Sequence, residues 1–163
     1  MYQLIEKFIQ DAKEMDDNVF PFMANKDWKP GKNVYYSGPY WDDLEAQELI
    51  YGVMKGKWLS SGEKVNKFEK EFSQRFGFDH SVMVNSGSSA NLVMIAALKK
   101  YFGWEDGDEI IVCSCGFATT IAPVVQSGLK PVFVDINWQD LNWYMEQVFK
   151  KVTPRTRAVF SSP

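Results

Sequence analysis

The sequence predicts an α/β protein with a mainly parallel sheet flanked by helices. From residue 81 onward, short apolar runs of strand length alternate with helical patterns, in the order β-α-β-α-β-α-β. The runs "IIVCS", "KPVFVDI" and "RAVFS" are β-branched or aromatic and are separated by helix-length segments, the arrangement of parallel strands with right-handed crossovers. The composition agrees. In 163 residues, 45% are apolar, enough for a packed core rather than a disordered chain.

The elements follow in order. Residues 1–15 carry Leu4, Ile5, Phe8, Ile9 and Ala12 at helical spacing. Residues 17–40 hold Pro21, Pro30, Gly31, Gly38 and Pro39 among six aromatics, which predicts an irregular arm lying on its own domain or on a neighbouring surface. Asp42 and Asp43 start a helix with Ala46, Leu49, Ile50, Val53 and Met54 on one side. After a turn over "KGKWLSSGEKV", Val65, Phe68, Phe72 and Phe76 mark a second helix that Gly77 ends. "SVMVN" reads as a strand. Residues 88–100 read as a helix whose apolar positions are spread too widely for one face, so burial on more than one side is expected. "IIVCS" is a strand, 118–127 a short helix closed by Gly128, "KPVFVDI" a strand, 141–151 a helix and "RAVFS" a strand.

The net charge of −3 argues against general nucleic-acid binding, which requires a basic surface. No apolar run approaches the roughly 20 residues of a membrane span. The N-terminus has early acidic residues and no unbroken apolar core, unlike a signal peptide. Cys113 and Cys115 are one residue apart and lack further cysteines or a nearby histidine. They read as small core residues rather than a disulfide or a zinc site, so no metal and a reducing, cytoplasmic setting are expected. The final "KVTPRTRAVFSSP" reads as a strand and loop with nothing after it, as in a domain cut short.

Two strand-to-helix corners carry the chemistry. In open parallel sheets, ligands bind beyond the carboxyl ends of the strands. At Asn85–Asn91, Gly87, Ser88 and Ser89 open a helix, whose unpaired N–H groups and positive end suit a phosphate. Neither G-x-x-x-x-G-K-[ST] nor G-x-G-x-x-G is present. On local sequence alone, a serine N-cap with a glycine turn accounts for the corner equally well. The second corner, "CSCGFATTIAPV", puts Phe117 at the turn, either as core filling or as a stacking surface for a planar ring. A phosphate donor set beside a stacking ring describes a phosphorylated aromatic cofactor such as pyridoxal phosphate.

At this point the sequence resembles the DegT/DnrJ family of pyridoxal-phosphate-dependent sugar aminotransferases and dehydrases. The resemblance rests on "GKWLSSGEKVNKFEKEF", "VMVNSGSSANLVMIAAL", "GDEIIV", "CGFATTIAPVVQSGLKPVFVDI" and "VTPRTRAVFSSP", in that order. It implies the N-terminal part of the large domain of a fold type I transferase, with residues 1–40 as helix and arm and 41–163 as a partial cofactor-binding domain. It also implies that Gly87, Ser88 and Ser89 hold the phosphate of pyridoxal or pyridoxamine phosphate and that Phe117 lies on the pyridine ring. Many members have proline where this chain has Cys113. The "C-G-F-x-T-T" form and the long arm before "YYSGPYWDD" resemble the nucleotide-hexulose 3-dehydrase branch. The resemblance places the Schiff-base lysine, or the histidine that replaces it in dehydrases, beyond residue 163. The carboxylate for the pyridine nitrogen and any iron–sulfur cysteines fall there as well. Asp135 then reads as a structural residue near a turn. A nucleotide-linked sugar is the implied substrate and a homodimer the implied full-length assembly. Two other readings stand beside this one: a truncated product that folds or associates without chemistry, and a pyridoxal-phosphate enzyme of another class, such as a cysteine desulfurase. The motifs "GKWLSSG" and "VTPRTRAV" disfavour the second.

Overall fold

The computed structural model describes residues 1–15, 29–33, 42–56 and 62–161. Most of the aromatic arm and the turn at 57–61 lie outside the described residues. The chain divides into two compact units, residues 1–81 and 82–163.

The first unit contains α1 (Tyr2–Met15), α2 (Asp43–Lys55) and α3 (Glu63–Phe76). Asp42 begins α2 with a capping box: its carboxylate accepts from Leu44 N at 2.8 Å, and Glu45 accepts from Asp42 N at 2.6 Å. Ile5 and Ile9 of α1 bury against Ala46, Ile50 and Tyr51 of α2, whereas Leu4 and Phe8, read with them at helical spacing, are exposed. Gly77 ends α3 in the left-handed conformation at φ 72°. Beyond it, Ser81 donates to Glu69 O at 2.6 Å and accepts from the buried Ser73 at 2.9 Å, tying the chain back onto α3.

The second unit runs α4 (Gly87–Phe102), β1 (Glu109–Cys113), α5 (Ala118–Gln126), β2 (Lys130–Val134), α6 (Met145–Lys151) and β3 (Thr156–Phe160). The three strands are parallel in the order β2-β1-β3. Successive side chains of the central β1 point to opposite faces. Ile110 and Val112 pack with Ile95 of α4, Val124 of α5 and Leu129; Ile111 packs with Val134 and with Val148 of α6. Both faces are covered, which is why the strand reads as an unbroken apolar run.

The strand register is fixed at the amino end of the sheet. Asp108, 3% exposed, receives Arg157 Nε at 2.8 Å and Nη2 at 3.3 Å, together with Glu105 N at 3.0 Å. Glu109 accepts from Lys130 of β2 at 3.0 Å and from Thr153, just before β3, at 2.7 Å. The β1–β3 pairing skips Arg157: Glu109 faces Thr156, and Ile110 faces Ala158. This bulge turns the guanidinium toward Asp108. Gly128, at φ 73°, passes so close that a Cβ there would stand 2.6 Å from Asp106 Oδ1.

Four expectations are corrected. Among the described residues, 81–84 form no strand, and the described sheet consists of β1, β2 and β3. Helix α4 is buried on one face only. Ile95 is 1% exposed, whereas Leu92, Val93 and Met94 are 40%, 49% and 40% exposed. Cys113 is half-buried at the end of β1, but Cys115 is exposed in the loop beyond it, so it is not a core residue. The last helix begins at Met145 rather than 141. Before it, Asn137 Oδ1 accepts from Gln139 N and Asp140 Oδ1 from Asn142 N, and these local bonds hold a turn in place of helix.

The hydrogen bonds from Arg157 hold the Asp108 carboxyl below the ordinary aspartate range, with Glu105 N adding to the effect. A lowered folded-state pKa contributes stability above the unfolded value of about 3.9, and that contribution is lost as pH falls through the lower folded value. Asp108→Asn is therefore expected to lower the melting temperature at pH 7 and to flatten its fall below about pH 4. Thermal unfolding followed by circular dichroism at several pH values checks this.

Candidate functional site

The first corner is built by the start of α4. Ser86 is the N-cap, with extended backbone, and its Oγ accepts from Ser89 N at 3.2 Å. The N–H of Ser89 is thereby taken up within the helix. The N–H groups of Gly87 and Ser88 have no acceptor among the described residues. Ser86 Oγ also lies 3.2 Å from Ser89 Oγ, so the two hydroxyls share one hydrogen bond. Gly87 and Ser88 are exposed, and a Cβ built on Gly87 would meet nothing within 4 Å. The first turn of α4 carries no acidic residue, while Lys99 and Lys100 lie in its last turn. The positive end of the helix dipole is left without a neutralising carboxylate in its own first turn.

The second corner follows β1. Phe117 is the N-cap of α5 and is 64% exposed, which rules out the core-filling alternative for its ring. Its carbonyl accepts from Thr120 N at 2.9 Å. Ser114 N donates to Val134 O at 2.8 Å, extending the β1–β2 ladder by one residue, and Ser114 Oγ donates to Asp135 Oδ1 at 3.1 Å. That same carboxylate oxygen accepts from Ile136 N at 2.8 Å, and Asp135 N donates to Gln147 of α6 at 3.1 Å. These bonds make Asp135 a brace between the ends of β1 and β2.

One hydrogen bond joins the corners. Asn91 Nδ2, in the second turn of α4, donates to Thr119 O in the first turn of α5 at 3.2 Å. The elements carrying Gly87, Ser88, Ser89 and Phe117 are thus brought together beyond the carboxyl end of the sheet. The sequence reading did not single out Asn91 or Pro123. Its available signal was a proline inside a helix at position 123, which leaves a carbonyl four residues earlier without a helix donor.

A model of the DegT/DnrJ/EryC1/StrS aminotransferase family matches residues 41–162. The chain belongs to that family. GDP-4-keto-6-deoxy-D-mannose 3-dehydratase of Escherichia coli O55:H7 is 43% identical over 123 residues, covering 74% of this chain and 31% of the relative. Lipopolysaccharide biosynthesis protein RfbH of Salmonella typhimurium is 33% identical over 161 residues, covering 96% of this chain and 35% of the relative. Among solved structures, E. coli GDP-4-keto-6-deoxy-D-mannose-3-dehydratase with bound hydrated pyridoxal phosphate aligns at TM-score 0.68 and 42% identity, covering 78% of this chain and 33% of that one. This DegT/DnrJ/EryC1/StrS chain spans about a third of the length of these relatives. The parallel sheet flanked by helices is the expected α/β architecture.

Ser86→Ala removes the cap acceptor of Ser89 N. The expected cost is about 1 kcal/mol of stability, measured by urea unfolding of the variant against the parent chain.

Proposed function

We propose that this chain carries the phosphate cradle and ring-stacking surface of a pyridoxal-phosphate-dependent enzyme acting on nucleotide-linked 4-keto-6-deoxy sugars, in the synthesis of surface polysaccharides. The observation that carries this reading is the pair of corners. Gly87 and Ser88 N–H groups without acceptors among the described residues open a helix, and the exposed ring of Phe117 stands at the neighbouring corner tied to it through Asn91. This donor set fits a dianionic phosphate: two backbone N–H groups, the hydroxyls of Ser88 and Ser89, and a helix end. The open space over Gly87 admits the phosphate without displacing protein atoms. Phe117 offers one face to a planar heterocycle.

When bound, pyridoxal phosphate supplies an electron sink for carbanion chemistry. The residues of this chain bind and orient it. Gly87, Ser88 and Ser89 hold the phosphate, Phe117 limits tilt of the ring, and Asp135 braces the loop that carries Phe117 through Ser114.

Of four relatives at 38–43% identity, three are named as 3-dehydratases of GDP- or dTDP-linked sugars and one, at 40%, as spore coat polysaccharide biosynthesis protein SpsC, whereas a 4-aminotransferase and a perosamine synthase stand at 30% and 32%. This ordering supports the dehydratase branch over the aminotransferase branch. The family match beginning at residue 41 supports a division into an N-terminal helix and arm, 1–40, and a cofactor-binding part from 41 onward. A cytoplasmic setting is part of the same proposal, and among the described residues no helix is long and apolar enough to cross a membrane. The exposed apolar Leu92, Val93 and Met94 of α4 support self-association as a homodimer.

The test is titration of the chain with pyridoxal phosphate, followed by the cofactor's absorbance and by equilibrium dialysis. Ser88→Asp sets a carboxylate against the phosphate and is expected to weaken binding at least about tenfold. Phe117→Ala is expected to lose about 0.5–1.5 kcal/mol of stacking, roughly two- to tenfold in Kd. Unchanged affinity in the Ser88→Asp chain would overturn the cradle.

A further inference from the structure

Helix α5 carries a proline at its sixth position, Pro123, which is buried. Proline has no N–H, and its ring presses on the carbonyl four residues earlier. That carbonyl is Thr119 O. In an ordinary helix the N–H of residue 123 would donate to it. Here Asn91 Nδ2 donates instead, at 3.2 Å, from a helix 28 residues earlier in the chain. Both residues are half-buried, so the carbonyl gains a protein donor where access to water is reduced. Asn91 lies about one turn beyond Gly87 and Ser88. Thr119 lies two residues beyond Phe117. A backbone bond missing in one helix is thus supplied by a side chain of the other, at the point where the two corners meet.

We infer that Asn91 is a positioning residue. Its amide ties the start of α4 to the start of α5, and so sets Phe117 at a fixed distance from the N–H groups of Gly87 and Ser88. Pro123 makes the tie obligatory, because it removes the donor that would satisfy Thr119 within its own helix. The inference rests on the reading of the two corners as halves of one cofactor site.

Four variants of the 163-residue chain test it: Asn91→Ala, Asn91→Asp, Pro123→Ala, and Asn91→Ala with Pro123→Ala. Asn91→Asp keeps the shape but turns the donor into an acceptor, and it stands in if the alanine variant folds poorly. Pro123→Ala restores an N–H that reaches Thr119 O inside α5. Both Asn91 variants are expected to raise the Kd for pyridoxal phosphate about three- to tenfold. The double variant is expected to regain melting temperature relative to Asn91→Ala, because the carbonyl is again satisfied, yet to keep the raised Kd, because the tie between helices is still missing. Recovery of affinity together with stability in the double variant would overturn the positioning role, as would parental affinity in both Asn91 variants. If the parent chain itself fails to bind pyridoxal phosphate, the proposed function fails, and the tie is read instead from amide hydrogen exchange over residues 117–122. Faster exchange there in Asn91→Ala that persists in the double variant supports the tie. Exchange unchanged from the parent overturns it.

Discussion

A buried carboxylate at the head of the central strand needs a cation, and meeting that need sets the register of the sheet. Asp108 is nearly sealed from solvent and is held by the guanidinium of Arg157, 49 residues later. A buried charge without its partner is costly, so the pair constrains where β3 can lie. Arg157 reaches Asp108 because it is the extra residue of a bulge between β1 and β3. Glu109 adds links to Lys130 and Thr153, so β2 and β3 are both pinned at the amino end of β1. A one-residue slip would break these links and turn Ile110, Ile111 and Val112 to the wrong faces.

With the amino end fixed by charge, the carboxyl end is free to hold weaker, more open structure. The loop after β1 leads straight into α5, so the start of that helix lies at this end, and the Asn91 bond brings the start of α4 beside it. Apart from Phe117 and Asn91, the residues here are small or hydroxylic, and neither helix has an acidic residue in its first turn. The two ends of one short sheet therefore differ in kind. One satisfies its polar groups internally, and the other leaves backbone donors of Gly87 and Ser88 facing outward. An outward-facing donor at a helix start costs little in water and becomes useful when an anion arrives.

Rigidity at the open end comes from two repairs. The carboxylate of Asp135 gathers Ser114 Oγ and the N–H of Ile136, which steadies the loop leading to Phe117. The amide of Asn91 completes the hydrogen bonding of Thr119, whose helix donor Pro123 has removed. Each repair uses a polar side chain from one element to satisfy a backbone or hydroxyl group of another.

The sequence by itself determined what depends on near neighbours. The helix start at Asp42 and Asp43, the glycine stop at Gly77, the apolar run of β1 and the serine–glycine start of α4 are local signals, and each lies where it was read. The family was legible for the same reason, since its motifs are short and ordered along the chain. Tertiary structure alone decided what depends on distant partners. "SVMVN" has a strand's composition, but joining a sheet depends on distant residues, and the described sheet consists of β1, β2 and β3. The spread of apolar residues on α4 could not reveal that one face is covered while Leu92, Val93 and Met94 stay exposed. Side-chain caps at Asn137 and Asp140 outcompeted helix before Met145, a contest between local bonds that periodicity does not weigh. The bonds of Asp108 to Arg157 and of Asn91 to Thr119 span 49 and 28 residues, and only the folded chain brings such groups within hydrogen-bond reach.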